Sequence, residues 1–182
     1  LMFLGLDKLY NQGLKKVIVS VPERTIGKSF ARAELKKFGF FTDWDYEEKY
    51  NLCTPGDEGK ISIFKNFLFD KESKILICTH STLRHSFNQL KPDDFNNVLL
   101  AIDEFHHVSA DEANILGKVL NGIMNKSTAH IVAMTGSYFR GDNIPVLMDE
   151  DEAQFTKVTY NYYEQLNGYR YLKSLGIGYH FY

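Results

Sequence analysis

The stretch VLLAIDEFHHV, residues 98–108, constrains this chain more than any other. Five apolar residues run without interruption into Asp103 and Glu104, and His106 and His107 follow one aromatic. A short, wholly apolar run reads as a strand buried on both faces, the condition of a parallel sheet covered by helices. The C-terminal end of such a strand is where open α/β sheets hold their ligands. Two readings of the carboxylates follow. An aspartate there can hold Mg²⁺ through water while a neighbouring glutamate orients or deprotonates an attacking water. Alternatively the strand simply ends in Asp-Glu and opens into a solvated loop.

Apolar strands and helix-length segments alternate along the rest of the chain. Leu4, Leu6, Leu9, Tyr10 and Leu14 predict a helix over residues 1–13, ending near Gly13. A buried strand follows over 17–21, and Pro22-Glu23-Arg24-Thr25 makes a turn. Thr25 is placed to cap a helix reaching Phe38, with Gly39 as its terminator. Residues 40–44 suggest a further layer element, and 45–60 is irregular, with the loop signature Thr54-Pro55-Gly56. Ile61, Phe64, Phe67 and Leu68 give an amphipathic helix to Asp70. Then come a strand over 75–79, a helix capped by Ser81 running through Leu90, a loop over 91–96, the Asp-Glu strand, a helix over 111–124 and a strand over 131–135. One helix followed by five repeats of strand and then helix or turn predicts a parallel sheet with right-handed crossovers. Past Pro145 the pattern changes. Residues 149–152 read as a charged turn, Val158, Tyr160 and Tyr162 alternate as in a half-exposed strand, and Leu166, Tyr169 and Leu172 share one face of a helix over 163–175. The dense aromatics there read as packing rather than as a base-stacking platform.

Length and composition narrow the class. The chain has 182 residues, enough for one domain with a full core plus a connector. A net charge of −2 gives no global attraction to nucleic acid, so binding would need a local basic patch. Arg24, Lys28, Arg32 and Lys36 recur every four residues and form either such a stripe or a solvated helix face. Two cysteines, Cys53 and Cys78, without a CxxC pattern exclude a disulfide scaffold or a cysteine zinc cluster. The default is a reducing compartment, the cytoplasm, and no apolar run approaches a membrane span. The opening LMFLGL, without methionine first, reads as a piece of something longer.

A second motif brings a family into view. IVAMTGSYFR, residues 131–140, is another apolar strand ending in a hydroxyl-rich turn, one helix-length segment beyond the first. DEFHH resembles the DExH form of the Walker B motif in superfamily-two helicases and translocases. Thr135-Gly136-Ser137 resembles their third motif, usually Ser/Thr-Ala-Thr, and Tyr138 to Asp142 is similar to its continuation in the motor subunits of restriction enzymes. The resemblance covers residues 1–142. It implies a three-layer RecA-like α/β fold of the P-loop NTPase type, with the amino-terminal strand and Walker A missing from this chain. It implies a RecA-like ATPase lobe over 1–145, and over 146–182 a connector toward a second RecA-like domain of the same parent.

The same resemblance implies roles. Asp103 would hold Mg²⁺, Glu104 would activate the hydrolytic water, and His106 would couple the nucleotide site to nucleic acid. Thr135, Gly136 and Ser137 would relay between the two; glycine in place of alanine leaves the hydroxyls intact. Pro22, Arg24 and Thr25 match a motif lining the nucleic-acid path, and Thr79-His80-Ser81-Thr82 matches a later phosphate-contacting one. Hydroxyls and amides at a helix start can bind a backbone phosphate without reading sequence, though an ordinary helix cap uses the same residues. The implied ligands are ATP, Mg²⁺ and nucleic acid, DNA ahead of RNA, with no membrane. Adjacent His106 and His107 do not make a metal site on spacing, and neither do His80 and His85.

The sequence PERTIGKS, residues 22–29, lies near the phosphate-loop pattern G-x-x-x-x-G-K-[ST] between a strand and a helix. Its first position is proline, which removes an amide donor and fixes φ where the loop needs both. Reading it instead as the nucleic-acid motif puts every later strand in the family's order. Three hypotheses stand at this point. The first is a helicase or translocase ATPase lobe, inactive by itself. The second is a self-contained nucleotide-binding protein using Lys28 and Ser29. The third is a non-catalytic nucleic-acid or protein interaction domain.

Overall fold

In the computed structural model, residues 1–56, 58–107, 115–136 and 149–159 are described. The chain divides into two compact units, Leu1–Met148 and Asp149–Tyr182. The first is built on four strands, β1 (Lys16–Val21), β2 (Ile75–Thr79), β3 (Val98–Ile102) and β4 (His130–Ala133), in the order β2-β1-β3-β4. All pairs are parallel: Val17 stands opposite Ile75 on one side and Leu99 on the other, and Leu99 stands opposite His130. This is the α/β class expected.

β1, β2 and β3 are buried along their full length. Their side chains alternate between two cores, as the two-residue period of a strand requires. Ile18, Leu76, Leu100 and Ile102 face one cluster, completed by Phe64 and Phe67, Leu83, Phe95, Leu120 and Ile123. These come from α3 (Lys60–Phe69), α4 (His80–Phe87), the turn Pro92–Phe95 and α5 (Ile115–Lys126). Val17, Val19, Ile77 and Leu99 face the other cluster, where Leu6 and Leu9 of α1 (Met2–Tyr10) pack with Leu35, Trp44 and Tyr46. Helical cover on both faces is what permits an uninterrupted apolar strand.

The segment after β1 departs from expectation. Instead of one helix from Thr25 to Phe38 there is a single turn, α2 (Arg24–Gly27), followed by two 3₁₀ turns, Lys28–Phe30 and Leu35–Phe38. Ala33 and Trp44 pair as an antiparallel bridge, with N–H···O bonds of 3.0 Å in each direction. Trp44 is fully buried, and its indole N–H donates to the Phe30 carbonyl at 2.9 Å. Burying roughly 200 Å² of indole contributes on the order of 5 kcal/mol, against a few tenths per residue of helix propensity. The tryptophan therefore decides the path of the chain, and Phe38 is left 83% exposed. Residues 40–44 consequently add no strand to the sheet; among the described residues four strands stand where five repeats were read. Gly39 does end its turn, at φ +83°.

Smaller shifts occur at the ends of elements. α4 begins at His80 and is capped by Thr79, whose Oγ1 accepts the Thr82 N–H at 3.2 Å, so Ser81 lies inside the helix. The last strand stops at Ala133 rather than Thr135. In the second unit, residues 149–152 form a short helix, α6 (Asp149–Glu152), with Glu152 paired to Lys157, and Val158 is exposed. The strand expected through Tyr160 and Tyr162, the helix over 163–175 and the start of the one over 111–124 lie outside the described residues.

Candidate active site and adjoining groove

The C-terminal ends of β1, β2, β3 and β4 share one edge of the sheet, and the residues singled out by sequence collect there. Asp103 directly follows β3. Its N–H donates to the Ser20 carbonyl at 2.9 Å, which prolongs the β1–β3 ladder by one step. Asp103 Oδ1 accepts the N–H of Glu104 at 3.0 Å. Glu104 has φ +47°, a left-handed conformation that costs a residue with a Cβ about 1 kcal/mol or more. Such a kink turns the chain out of the strand.

Glu104 leads to His106. Its Oε2 lies 3.1 Å from His106 Nδ1, and the same nitrogen lies 2.8 Å from Thr135 Oγ1. An ionised carboxylate can only accept, so the ring proton belongs on Nδ1. The backbone reinforces this link: Phe105 N–H donates to the Met134 carbonyl at 2.7 Å, and Met134 N–H to Ile102 at 2.9 Å. The ends of β3 and β4 thus form one hydrogen-bonded unit in which Glu104, His106 and Thr135 share partners. Gly136 is exposed, with open space where a Cβ would stand. Ser137 lies outside the described residues, and so does the side chain of His107.

A cleft of about 570 Å³ opens beside this unit, past the ends of β1 and β2. Pro22, Arg24, Thr25, Thr79, Ser81 and Thr82 all line it, so residues of two separate motifs meet in one groove. His80 does not line it. Its ring is buried, with Nδ1 2.7 Å from Ser20 Oγ and Nε2 3.0 Å from the Asp103 carbonyl oxygen. Sequence reading missed Lys60 and His85, which also line the groove. Lys60 looked like the flank of an amphipathic helix; the signal available was a lysine opening a helix just after Gly59. Its Nζ donates to the Thr54 carbonyl at 2.7 Å.

Within residues 22–29, Arg24–Gly27 form a helical turn and Lys28 opens a 3₁₀ turn. A Cβ on Gly27 would stand 2.5 Å from Cys53 Sγ, so this glycine makes room for a packed side chain. Burial pushes the Cys53 thiol up to about 11, which leaves it a protonated packing group. Lys28 is exposed. The Asp103 carboxylate is better suited to a cation: it is half-buried at a strand end, and one oxygen is held by backbone. Among the described residues no cluster of three or more His, Cys, Asp or Glu is placed to hold a metal ion. A hard divalent cation would therefore rest on Asp103, water and a ligand's phosphates, the usual habit of Mg²⁺.

An all-parallel, helix-covered sheet with paired carboxylates at the end of a central strand is consistent with a RecA-like lobe. The family model for the type III restriction enzyme, res subunit, matches residues 1–140, and the chain belongs to that family. It is also 59% identical, over all 182 of its residues, to the Bacillus subtilis (strain 168) protein named "Putative ATP-dependent helicase YeeB", of which it spans 30%. The resemblance carried by DEFHH and by the turn after β4 holds at the level of the family. Among the described residues no helix is long and apolar enough to cross a membrane.

Proposed function

We propose that this chain is the amino-terminal ATPase lobe of an ATP-dependent helicase or translocase acting on DNA. In this reading residues 1–145 form the lobe, and 146–182 lead toward a second RecA-like domain. The observation that carries it is the continuous link Glu104–His106–Thr135 between two strand ends, together with a groove past the ends of β1 and β2 whose lining is mostly hydroxyl and basic side chains, with the Glu23 carboxylate among them. The relative named as an ATP-dependent helicase supports it. Bound Mg-ATP would supply a phosphoryl group poised for attack by water. Asp103 would hold the cation, and Glu104 would orient and deprotonate the attacking water. His106 keeps that carboxylate turned toward β4, where Thr135, Gly136 and Ser137 relay to nucleic acid. Pro22, Arg24, Thr25, Thr79, Ser81 and Thr82 hold backbone phosphates, so binding is insensitive to base sequence. DNA is put ahead of RNA on the restriction-enzyme family alone. By itself this chain hydrolyses little ATP, because the phosphoryl group also needs a cationic partner from across a cleft.

The test is ATP hydrolysis by the complete protein with and without DNA. Glu104→Gln should lower turnover about 10²- to 10⁴-fold while DNA binding persists. Turnover at the parental rate in both Glu104→Gln and Asp103→Ala would overturn the assignment in favour of a non-catalytic binding domain.

A further inference from the structure

We infer that His80 is a positioning residue: its ring fixes the Asp103–Glu104 peptide and ties that peptide to the turn lining the groove. The inference rests on the function proposed above and gives a residue implied as a phosphate contact a different task.

The argument begins with the proton. A backbone carbonyl can only accept, so the 3.0 Å contact between His80 Nε2 and the Asp103 oxygen requires the proton on Nε2. In the neutral ring Nδ1 is then an acceptor, satisfied by the Ser20 hydroxyl at 2.7 Å. Ser20 is itself fully buried and stands opposite Cys78 in the β1–β2 register. Ser20 therefore orients the ring from β1 while the ring reaches across to the end of β3.

The bond at the far end falls on a sensitive peptide. The Asp103–Glu104 unit has its N–H directed to Asp103 Oδ1 and its carbonyl directed to His80. Glu104 sits at φ +47°, and rotation of that peptide plane would be the simplest route back to negative φ. The rotation would break both bonds and release Asp103 Oδ1, disturbing the backbone that carries both carboxylates. A hydrogen bond from a buried donor resists it, because the buried ring N–H would lose its acceptor.

The ring points away from the groove, but its own backbone adjoins it. His80 is the first residue of α4, between Thr79, which caps the helix, and Ser81 and Thr82, which line the cleft. A ligand that presses on this turn moves the ring's own backbone. Occupancy of the groove thus reaches the hydrolytic carboxylates through one side chain, alongside the His106–Thr135 route.

The experiment measures kcat and KM for ATP, and Kd for single-stranded DNA, in the complete protein and three variants. His80→Ala should lower DNA-stimulated kcat about tenfold, the worth of one buried hydrogen bond, with KM and Kd within about twofold. His80→Gln, whose amide can reach the same carbonyl, should restore kcat to within about threefold of the parent. Should the alanine variant fail to fold, Ser20→Ala, which removes the ring's orienting partner, is expected to lower kcat in the same way. Parental kcat in His80→Ala while Glu104→Gln is inactive would overturn this inference and leave the proposed function standing. A weakened Kd with kcat intact at saturating DNA would also overturn it, making His80 a nucleic-acid contact. Activity in Glu104→Gln would instead remove the function on which the inference rests.

Discussion

At the scale of single residues, the site is held by backbone as much as by side chains. Glu104 in the left-handed region and Asp103 accepting its neighbour's N–H are not readable from the letters D-E, although the letters locate the site. The apolar run before Asp103 was legible because burial on both faces admits few other sequences. The direction of His80 was not legible because it depends on where α4 begins, and a start two residues earlier turns the ring from the groove into the protein. Another residue has consequences for stability rather than chemistry. Asp70 accepts from the Tyr50 hydroxyl at 2.7 Å and from the backbone N–H of Glu72 at 2.8 Å, and these bonds hold its carboxyl well below the usual range. A folded-state pKa below the unfolded one stabilises at pH above the unfolded value, about 4, and the benefit fades as pH falls toward the folded value. Thermal unfolding of Asp70→Asn and the parent should therefore differ at pH 7 and converge below about pH 4. A gap that stays constant into acid would show that Asp70 contributes through geometry alone.

At the scale of elements, strands were more legible than helices. β1, β2 and β3 lie within a residue of their expected positions, because unbroken runs of Val, Ile and Leu have few other uses. The helix expected over 25–38 failed where a distant tryptophan took precedence over local propensity, a long-range effect that no window of sequence contains. Helix starts were placed to within two residues, and the capping residue was wrong by the same margin. That error is testable. Thr79→Ala removes the hydroxyl that caps α4 and should cost about 1 kcal/mol, or about 2–4 °C in Tm. Ser81→Ala, inside the helix, should leave Tm within about 1 °C while touching the same groove. A larger loss at Ser81 than at Thr79 would contradict the observed cap.

For the whole molecule, the question is whether the chain binds nucleotide through residues 22–29. With Gly27 packed on Cys53 and Lys28 exposed, a fluorescent ATP analogue and Mg²⁺ should bind residues 1–182 and Lys28→Ala alike, within about twofold. Tight binding abolished in the variant would make those residues a working phosphate loop and displace the groove assignment by a strand. Strand order carries a further consequence, for how the molecule is made. β1 lies in the interior of the sheet, yet its partners are β2 and β3, and among the described residues β4 pairs only with β3. During synthesis, Val17 and its neighbours must wait for residues 75–79 before even one edge of their strand is closed, and for residues 98–102 before the other is. Loop closure must precede any reward from pairing, so β1 spends this interval as an apolar strand with two open edges. The segment most deeply buried in the finished lobe is thus the one most exposed to mispairing while the lobe is still being assembled.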